Sequence, residues 1–87
     1  MDFEFYRNFI TVAETGNLTT ASKKLALAQP ALSAQIKTLE HYYGAKLIQT
    51  ARGKRQLTLT EAGEAFLGKA RQIDRKSVGR ERVSDSV

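Results

Sequence analysis

The chain has 87 residues, 41% of them hydrophobic, which is enough for one small domain with a modest core but not for a deep catalytic pocket. It contains no cysteine, so a disulfide framework and a thiolate metal site are excluded, and its formal net charge of +5 favours an anionic partner such as nucleic acid or a membrane surface. The N-terminus does not resemble a signal peptide and no run approaches the roughly 18 apolar residues of a membrane helix, so we expect a cytoplasmic protein.

The first helix is predicted over residues 2–15. Apolar residues recur there at i, i+3, i+4 and i+7, which is the stripe of an amphipathic helix: Tyr6, Phe9, Ile10 and Ala13. Gly16 follows the stripe and is expected to end the helix in the left-handed conformation that glycine adopts readily.

A second, shorter helix is predicted over residues 18–25. Asn17 or Thr19 can cap its start, because a side-chain oxygen there accepts a bond from the first free N–H groups. Its inner stripe is narrow and consists of Leu18, Ala21 and Leu25. A short turn over residues 26–29 separates this helix from the next.

The third helix is predicted to open at Pro30, since proline is favoured at the first helical position, and to close at Gly44. One face carries the core residues Leu32, Ile36, Leu39 and Tyr43. The opposite face is short, slightly polar and lightly basic, with Pro30, Ser33, Ala34 and Lys37. A helix that enters the major groove must present such side chains in order to reach base edges.

The pattern then changes to two segments of β-forming residues, 46–50 and 55–60, around a basic tip that contains Arg52, Lys54 and Arg55. This predicts a β-hairpin that leans on the helices. Thr60 begins a fourth helix with a thin apolar seam, formed by Ala62, Phe66, Ala70 and Ile73. Residues 74–87 show no clear period and are expected to be disordered.

The layout is helix, helix, helix, hairpin, helix, which predicts a mainly α fold of the winged helix-turn-helix type. Residues 1–59 form the winged helix-turn-helix domain and residues 60–73 the start of a linker helix. Residues 74–87 form a tail. The stretch DRKSVGRERV can be back-translated, with one base slipped, into a sequencing-adaptor sequence, so a non-native origin of this tail is a second expectation.

Residues 2–73 resemble the N-terminal DNA-binding domain of LysR-type bacterial transcriptional regulators. Four motifs together carry the resemblance: Ala13-Glu14-x-Gly16, Gln29-Pro30-Ala31-Leu32-Ser33, Gln35-Ile36 with Leu39-Glu40, and Leu59-Thr60-Glu61-Ala62-Gly63. The resemblance implies binding to double-stranded DNA through the third helix and the wing. The residues expected to contact DNA are Thr20, Gln29, Pro30, Ala31, Ser33, Ala34, Lys37, Arg52, Lys54 and Arg55.

The same resemblance implies a homodimer in the full-length parent, paired through the fourth helix and its seam of Ala62, Phe66, Ala70 and Ile73. Because this seam ends at Ile73, dimerisation of the fragment is expected to be weak. A small-molecule effector would act only through a separate C-terminal domain, which this sequence lacks. No catalytic residues, cofactor or metal site are expected, since no nucleophile, base and orienting group are assembled.

Two departures from the family pattern concern base preference. The family often has arginine at the position of Ala34, and often Phe-x-Arg where this chain reads Ile48-Gln49-Thr50. These departures leave open an alternative function, a protein-interaction module that has lost DNA binding. A membrane-binding peptide is disfavoured, because no helix pairs a strongly cationic face with a broad apolar one.

Overall fold

The structure is a computed structural model that describes residues 3–50 and 56–86, with side chains described up to residue 74. The elements follow the predicted order: α1 (Phe3–Thr15), α2 (Leu18–Leu25), α3 (Gln29–Tyr43), β1 (Ile48–Thr50), β2 (Leu57–Leu59) and α4 (Glu61–Ser86). The three predicted wing cations, Arg52, Lys54 and Arg55, lie outside the described residues. None of the helices within the described ranges is long and apolar enough to cross a membrane.

The predicted helix ends coincide with backbone features of the structure. Gly16 has a φ of 67° and donates its N–H to the carbonyl of Val12 at 2.9 Å, and Gly44 has a φ of 82°. Asn17 caps α2, because its side-chain oxygen accepts the N–H of Thr20 at 3.0 Å. The alternative cap, Thr19, makes a different contact that is described below.

The core forms where α1, α3 and α4 meet. It consists of Phe9, Val12, Ala21, Leu32, Ile36, Leu39, Leu47, Leu57, Phe66 and Ala70. Phe66 of α4 lies at its aromatic centre, with ring centroids 5.1 Å from Phe9, 5.4 Å from Tyr43 and 5.6 Å from Tyr6. Offset and edge-to-face pairs of this kind add to the stabilisation from apolar burial. Phe66 therefore holds α1, α3 and α4 together.

Two residues of the predicted dimerisation seam lie in the core of the domain. Phe66 is 3% exposed and Ala70 is fully buried, and both pack in the core of their own chain, while Ala62 and Ile73 are half-buried. An apolar stripe indicates that a helix face is buried, but it does not indicate whether the same chain or a second subunit buries it. Here Phe66 is covered by Tyr6 and Phe9 of α1 and by Tyr43 of α3, and pairing of two subunits through this seam stays a prediction.

The helix α4 also extends further than the seam predicts. It runs to Ser86, thirteen residues beyond Ile73, where the sequence pattern predicted disorder. A segment without an apolar period has no face to pack against the core, but it can still continue a helix that has already formed. Adding one residue to an existing helix costs far less free energy than nucleating a new helix. The packed turns at the start of α4 supply the nucleus.

The two strands form an antiparallel hairpin in which Ile48 pairs with Leu59 and Thr50 with Leu57. As predicted, this hairpin leans on the helices. The N–H of Leu57 donates to the carbonyl of Gly16 at 2.8 Å, and the N–H of Thr60 donates to the carbonyl of Leu47 at 3.1 Å. These backbone bonds fix the base of the wing beside α1 and the start of α4.

Candidate nucleic-acid interface

The recognition helix α3 has two distinct faces. Leu32 and Leu39 are fully buried and Ile36 is 2% exposed, so the inner face is committed to the core. Ser33 is half-buried, and the other predicted contact residues of α3 are all exposed: Gln29, Pro30, Ala31, Ala34 and Lys37. Thr20 of α2 is exposed as well. The outer face of the N-terminal half of α3 is therefore accessible, and its predicted contact residues have short or flexible side chains.

The turn between α2 and α3 depends on a left-handed residue. Ala26 has a φ of 55°, and its N–H donates to the carbonyl oxygen of Lys23 at 3.3 Å. The N–H of Leu27 donates to the carbonyl oxygen of Ser22 at 2.9 Å. These bonds satisfy the last carbonyls of α2 and turn the chain sharply. Ala21 and Ser22 are buried, so α2 approaches its neighbours closely.

The start of α3 has no side-chain cap. Its N-cap residue is Ala28, which has no polar side chain, and Pro30 occupies the first turn. The leading N–H groups and the positive end of the helix dipole therefore remain open to an anion. This end of α3 carries Gln29, Pro30 and Ala31, which the family resemblance predicts to contact DNA.

The side chains of Asn8 and Gln35 set the position of α3 against α1. Asn8 is 3% exposed, and its Nδ2 donates to Oε1 of Gln35 at 2.6 Å. Sequence reasoning missed this contact, because a polar residue on a core face breaks the apolar pattern. Gln35 belongs to one of the family motifs, and that membership was the available signal.

Glu40 joins α3 to the wing. Its Oε2 accepts the N–H of Leu47 at 2.9 Å and lies 3.4 Å from the N–H of Ile48. A carboxylate that accepts backbone N–H groups forms charge-assisted bonds, which are stronger than neutral ones. The angle between the recognition helix and the first wing strand is therefore fixed by a side chain of α3 itself.

A groove of about 330 Å³ lies between α3 and β1. Its lining residues are Leu18, Ser33, Ile36, Lys37, Glu40, Lys46, Ile48, Gln49 and Thr50. The sequence singled out Lys37 but missed Lys46, Gln49 and Thr50, although a lysine just before the first strand was a usable signal. The wing thus adds one cation and two hydrogen-bonding side chains to the face of α3.

The charged residues divide between structural pairs and unpaired cations. Within the described residues, the ion pairs join α1 to α4, with Arg7 2.7 Å from Asp74 and Arg71 3.5 Å from Glu14. Lys37 and Lys46 form no ion pair with another described residue. The same part of the chain contains no group of three His, Asp or Glu residues that could hold a metal ion.

Comparison with protein families matches residues 3–64 to "Bacterial regulatory helix-turn-helix protein, lysR family". The chain belongs to the LysR family. The predicted winged helix-turn-helix fold is confirmed, because this LysR-family chain superposes on solved DNA-binding domains of the same fold. The chain therefore carries a LysR-type DNA-binding domain.

Curated LysR-type relatives are transcriptional regulators. The chain is 45% identical over 73 residues to the HTH-type transcriptional regulator BsdA of Bacillus subtilis, and 44% identical over 73 residues to the Hca operon transcriptional activator HcaR of Escherichia coli. Each match covers 84% of this chain but only 25% and 24% of the relative. The chain thus spans about a quarter of the length of these relatives.

Similar solved structures include protein–DNA complexes. The CbnR_DBD–DNA complex is 38% identical, with a TM-score of 0.81, and the match covers 98% of this chain and 99% of that one. The BenM_DBD/benA site 1 DNA complex is 36% identical, with a TM-score of 0.78, covering 99% of this chain and 95% of that one. Both matches extend over nearly the whole of this chain.

Proposed function

We propose that this chain binds double-stranded DNA sequence-specifically for transcription regulation, as the DNA-binding part of a LysR-type regulator in the bacterial cytoplasm. The observation that carries the proposal is the exposed, uncapped N-terminal half of α3, whose outer face is free of bulky side chains. A helix of this shape fits the major groove, with its first residues toward the bases. The similarity to two protein–DNA complexes supports the same geometry.

The proposed DNA contacts are of two kinds, those that read base edges and those that position the protein on the phosphate backbone. Gln29, Pro30, Ala31, Ser33 and Ala34 are proposed to face base edges, because they occupy the open end of α3. The phosphate backbone is proposed to lie along the groove beside β1, where Lys37 and Lys46 form no ion pair with another described residue and Gln49 and Thr50 offer hydrogen bonds. Such contacts fix the register of the protein on the duplex and provide most of the affinity.

Four further DNA-contacting residues are proposed from the family resemblance. Thr20 of α2 would contact the backbone beside α3, and the wing cations Arg52, Lys54 and Arg55 would reach phosphates from the tip of the hairpin. No catalytic step, cofactor or metal is part of this function.

Homodimerisation is proposed for a LysR-type regulator that carries this domain, and it is expected to be weak for this chain by itself. Because Phe66 and Ala70 are buried against α1, a partner would have to use the other face of α4. That face presents Ala65 and Gly68, which are exposed and small enough for a second helix to approach closely. An effector would act through a separate domain of the parent.

The test is the salt dependence of binding to a random duplex, measured by fluorescence anisotropy. A log–log slope of about −0.9 per neutralised phosphate is expected, and Lys37→Ala should reduce its magnitude by about 0.9. Lys69→Ala is the matched control, since Lys69 is an exposed cation of α4, 5.7 Å from the ring of Tyr43 at the far end of α3.

Affinity that stays flat as salt rises would overturn the proposal. That result would favour the protein-interaction module, which the departures at Ala34 and Thr50 had left open. Equal effects of Lys37→Ala and Lys69→Ala would instead remove the outer face of α3 from the interface.

A further inference from the structure

A hydrogen bond crosses the helix-turn-helix and ends on the first residue of α3. Oγ1 of Thr19, the second residue of α2, donates to Oε1 of Gln29 at 3.1 Å. Both residues are exposed, so the bond lies on the surface that the proposed function assigns to DNA. The sequence pattern offered Thr19 only as an alternative cap of α2, and the family resemblance assigned it no role in DNA binding.

Thr19 is held firmly by its own helix. The cap formed by Asn17 fixes the N–H of Thr20, and the carbonyl of Thr19 accepts the hydroxyl of Ser22 at 2.8 Å. Gln29, in contrast, has a long side chain whose amide would otherwise turn freely. The bond therefore transfers the rigidity of α2 to a side chain at the open end of α3.

We propose that Thr19 is a positioning residue for base readout, which holds the Gln29 amide so that its NH₂ group, and not its oxygen, faces the major groove. This inference rests on the proposed function. An NH₂ group can donate only to an acceptor, such as O6 or N7 of guanine or O4 of thymine. Cytosine presents its N4 amino group in the major groove, and two donors cannot bond to each other.

The preference should appear only when DNA is bound. In water, an exposed hydrogen bond between neutral groups contributes little, because water competes for both partners. In the groove, water is excluded, and a donor left facing a donor loses its partner altogether. A Gln29 amide without the Thr19 bond could turn and offer its oxygen to cytosine, so discrimination would weaken while general affinity stayed the same.

The experiment uses the full chain and duplexes selected from a random pool. Gln29→Ala first identifies the base pair whose identity Gln29 reads, and the affinities for all four bases at that position are then measured. Thr19→Val, which replaces the hydroxyl by a methyl group of similar size, should reduce discrimination against cytosine there by about tenfold. Thr19→Ser, which keeps the hydroxyl, should retain the wild-type preference.

Controls separate positioning from folding and from DNA binding in general. Thr11→Val is the matched control, because Thr11 lies on α1 and its hydroxyl bonds only to the carbonyl of Arg7, at 3.3 Å. Thr19→Val should keep the wild-type melting temperature, affinity for random duplex and salt slope. In the Gln29→Ala background, it should have no further effect on base preference.

The outcomes distinguish this inference from the proposed function. If the wild type binds DNA but Thr19→Val keeps full discrimination at the Gln29-dependent pair, the positioning role is wrong and the proposed function stands. The same holds if Gln29→Ala changes no base preference. If the wild type binds no duplex at all, the proposed function fails and this inference fails with it.

Discussion

Asn8 of α1 donates a hydrogen bond of 2.6 Å to the side chain of Gln35 on α3. Asn8 is 3% exposed and Gln35 is half-buried, so the bond lies at the edge of the apolar core, where the Asn8 amide has little access to water. A buried amide must be paired, and it finds a partner only when α3 has the observed rotation about its axis. The pair thus links the core to the orientation of the outer face of α3.

The first prediction follows from that pairing. Gln35→Met keeps the volume but removes the acceptor, and should lower the free energy of unfolding by about 1–3 kcal/mol, because the Asn8 amide is left unsatisfied. The double variant Asn8→Leu with Gln35→Met should recover much of this loss, since both polar groups are then gone. Urea denaturation measures both values. Asn8→Leu alone completes the comparison. If the effects of Asn8→Leu and Gln35→Met on the free energy of unfolding simply add in the double variant, the two side chains do not interact.

The second prediction concerns the contact between α4 and the wing. A Cβ added at Gly63 would lie 1.9 Å from the carbonyl oxygen of Leu47, a backbone atom that cannot move without displacing β1. Gly63→Ala should therefore destabilise the domain by about 3 kcal/mol. At Gly68, in the same helix, no atom lies within 4 Å of an added Cβ.

Gly68→Ala is accordingly the matched control, and it should stabilise the domain by up to about 1 kcal/mol, because alanine is the better helix former. Thermal unfolding followed by circular dichroism measures the two changes. Similar melting temperatures for both variants would mean that α4 and β1 do not approach as closely as the structure indicates.

The third prediction concerns the left-handed residue of the helix-turn-helix. Ala26 has a φ of 55°, a conformation that costs an L-residue roughly 1–2 kcal/mol and glycine almost nothing. Ala26→Gly should raise stability by about 0.5 kcal/mol, after subtraction of the extra freedom that glycine gives the unfolded chain. Ala65→Gly, on the exposed face of α4, should lower it by about 1 kcal/mol. A loss of stability in both variants would contradict the strain at Ala26.

The fourth prediction concerns Ala34, which is exposed one turn after Pro30. The family often has arginine here, and arginine binds guanine with two hydrogen bonds that provide about 1–3 kcal/mol of discrimination. Ala34→Arg should fold normally, since arginine is a good helix former. It should raise affinity most for duplexes with guanine at one fixed position.

Selection from a random duplex pool tests this prediction. Ala65→Arg adds the same charge on α4 and should raise affinity without a change in base preference. If Ala34→Arg also left the preference unchanged, position 34 would not face the groove, and the proposed readout face of α3 would need revision.

Local signals in the sequence were sufficient to predict the helices. The bounds of α2 match the predicted residues 18–25, and α1, α3 and α4 begin within one residue of their predicted starts. Caps and breakers act over a few residues, so a sequence records them directly. The same kind of local pattern predicted the hairpin and the outer face of α3, and the family motifs added the expectation that both bind DNA. The helix α4 beyond Ile73 was missed, because an apolar period reports packing and not helix formation.

What the sequence alone determined is the set of elements, their order and the exposed face of α3, since each depends on neighbours along the chain. Only the tertiary structure decided which surfaces meet. It placed Phe66 against α1, buried Asn8 beside Gln35, and joined Thr19 to Gln29. These contacts link residues distant in sequence, and an apolar or polar residue does not specify its partner. Packing alone selects that partner, because each buried group must be both covered and paired.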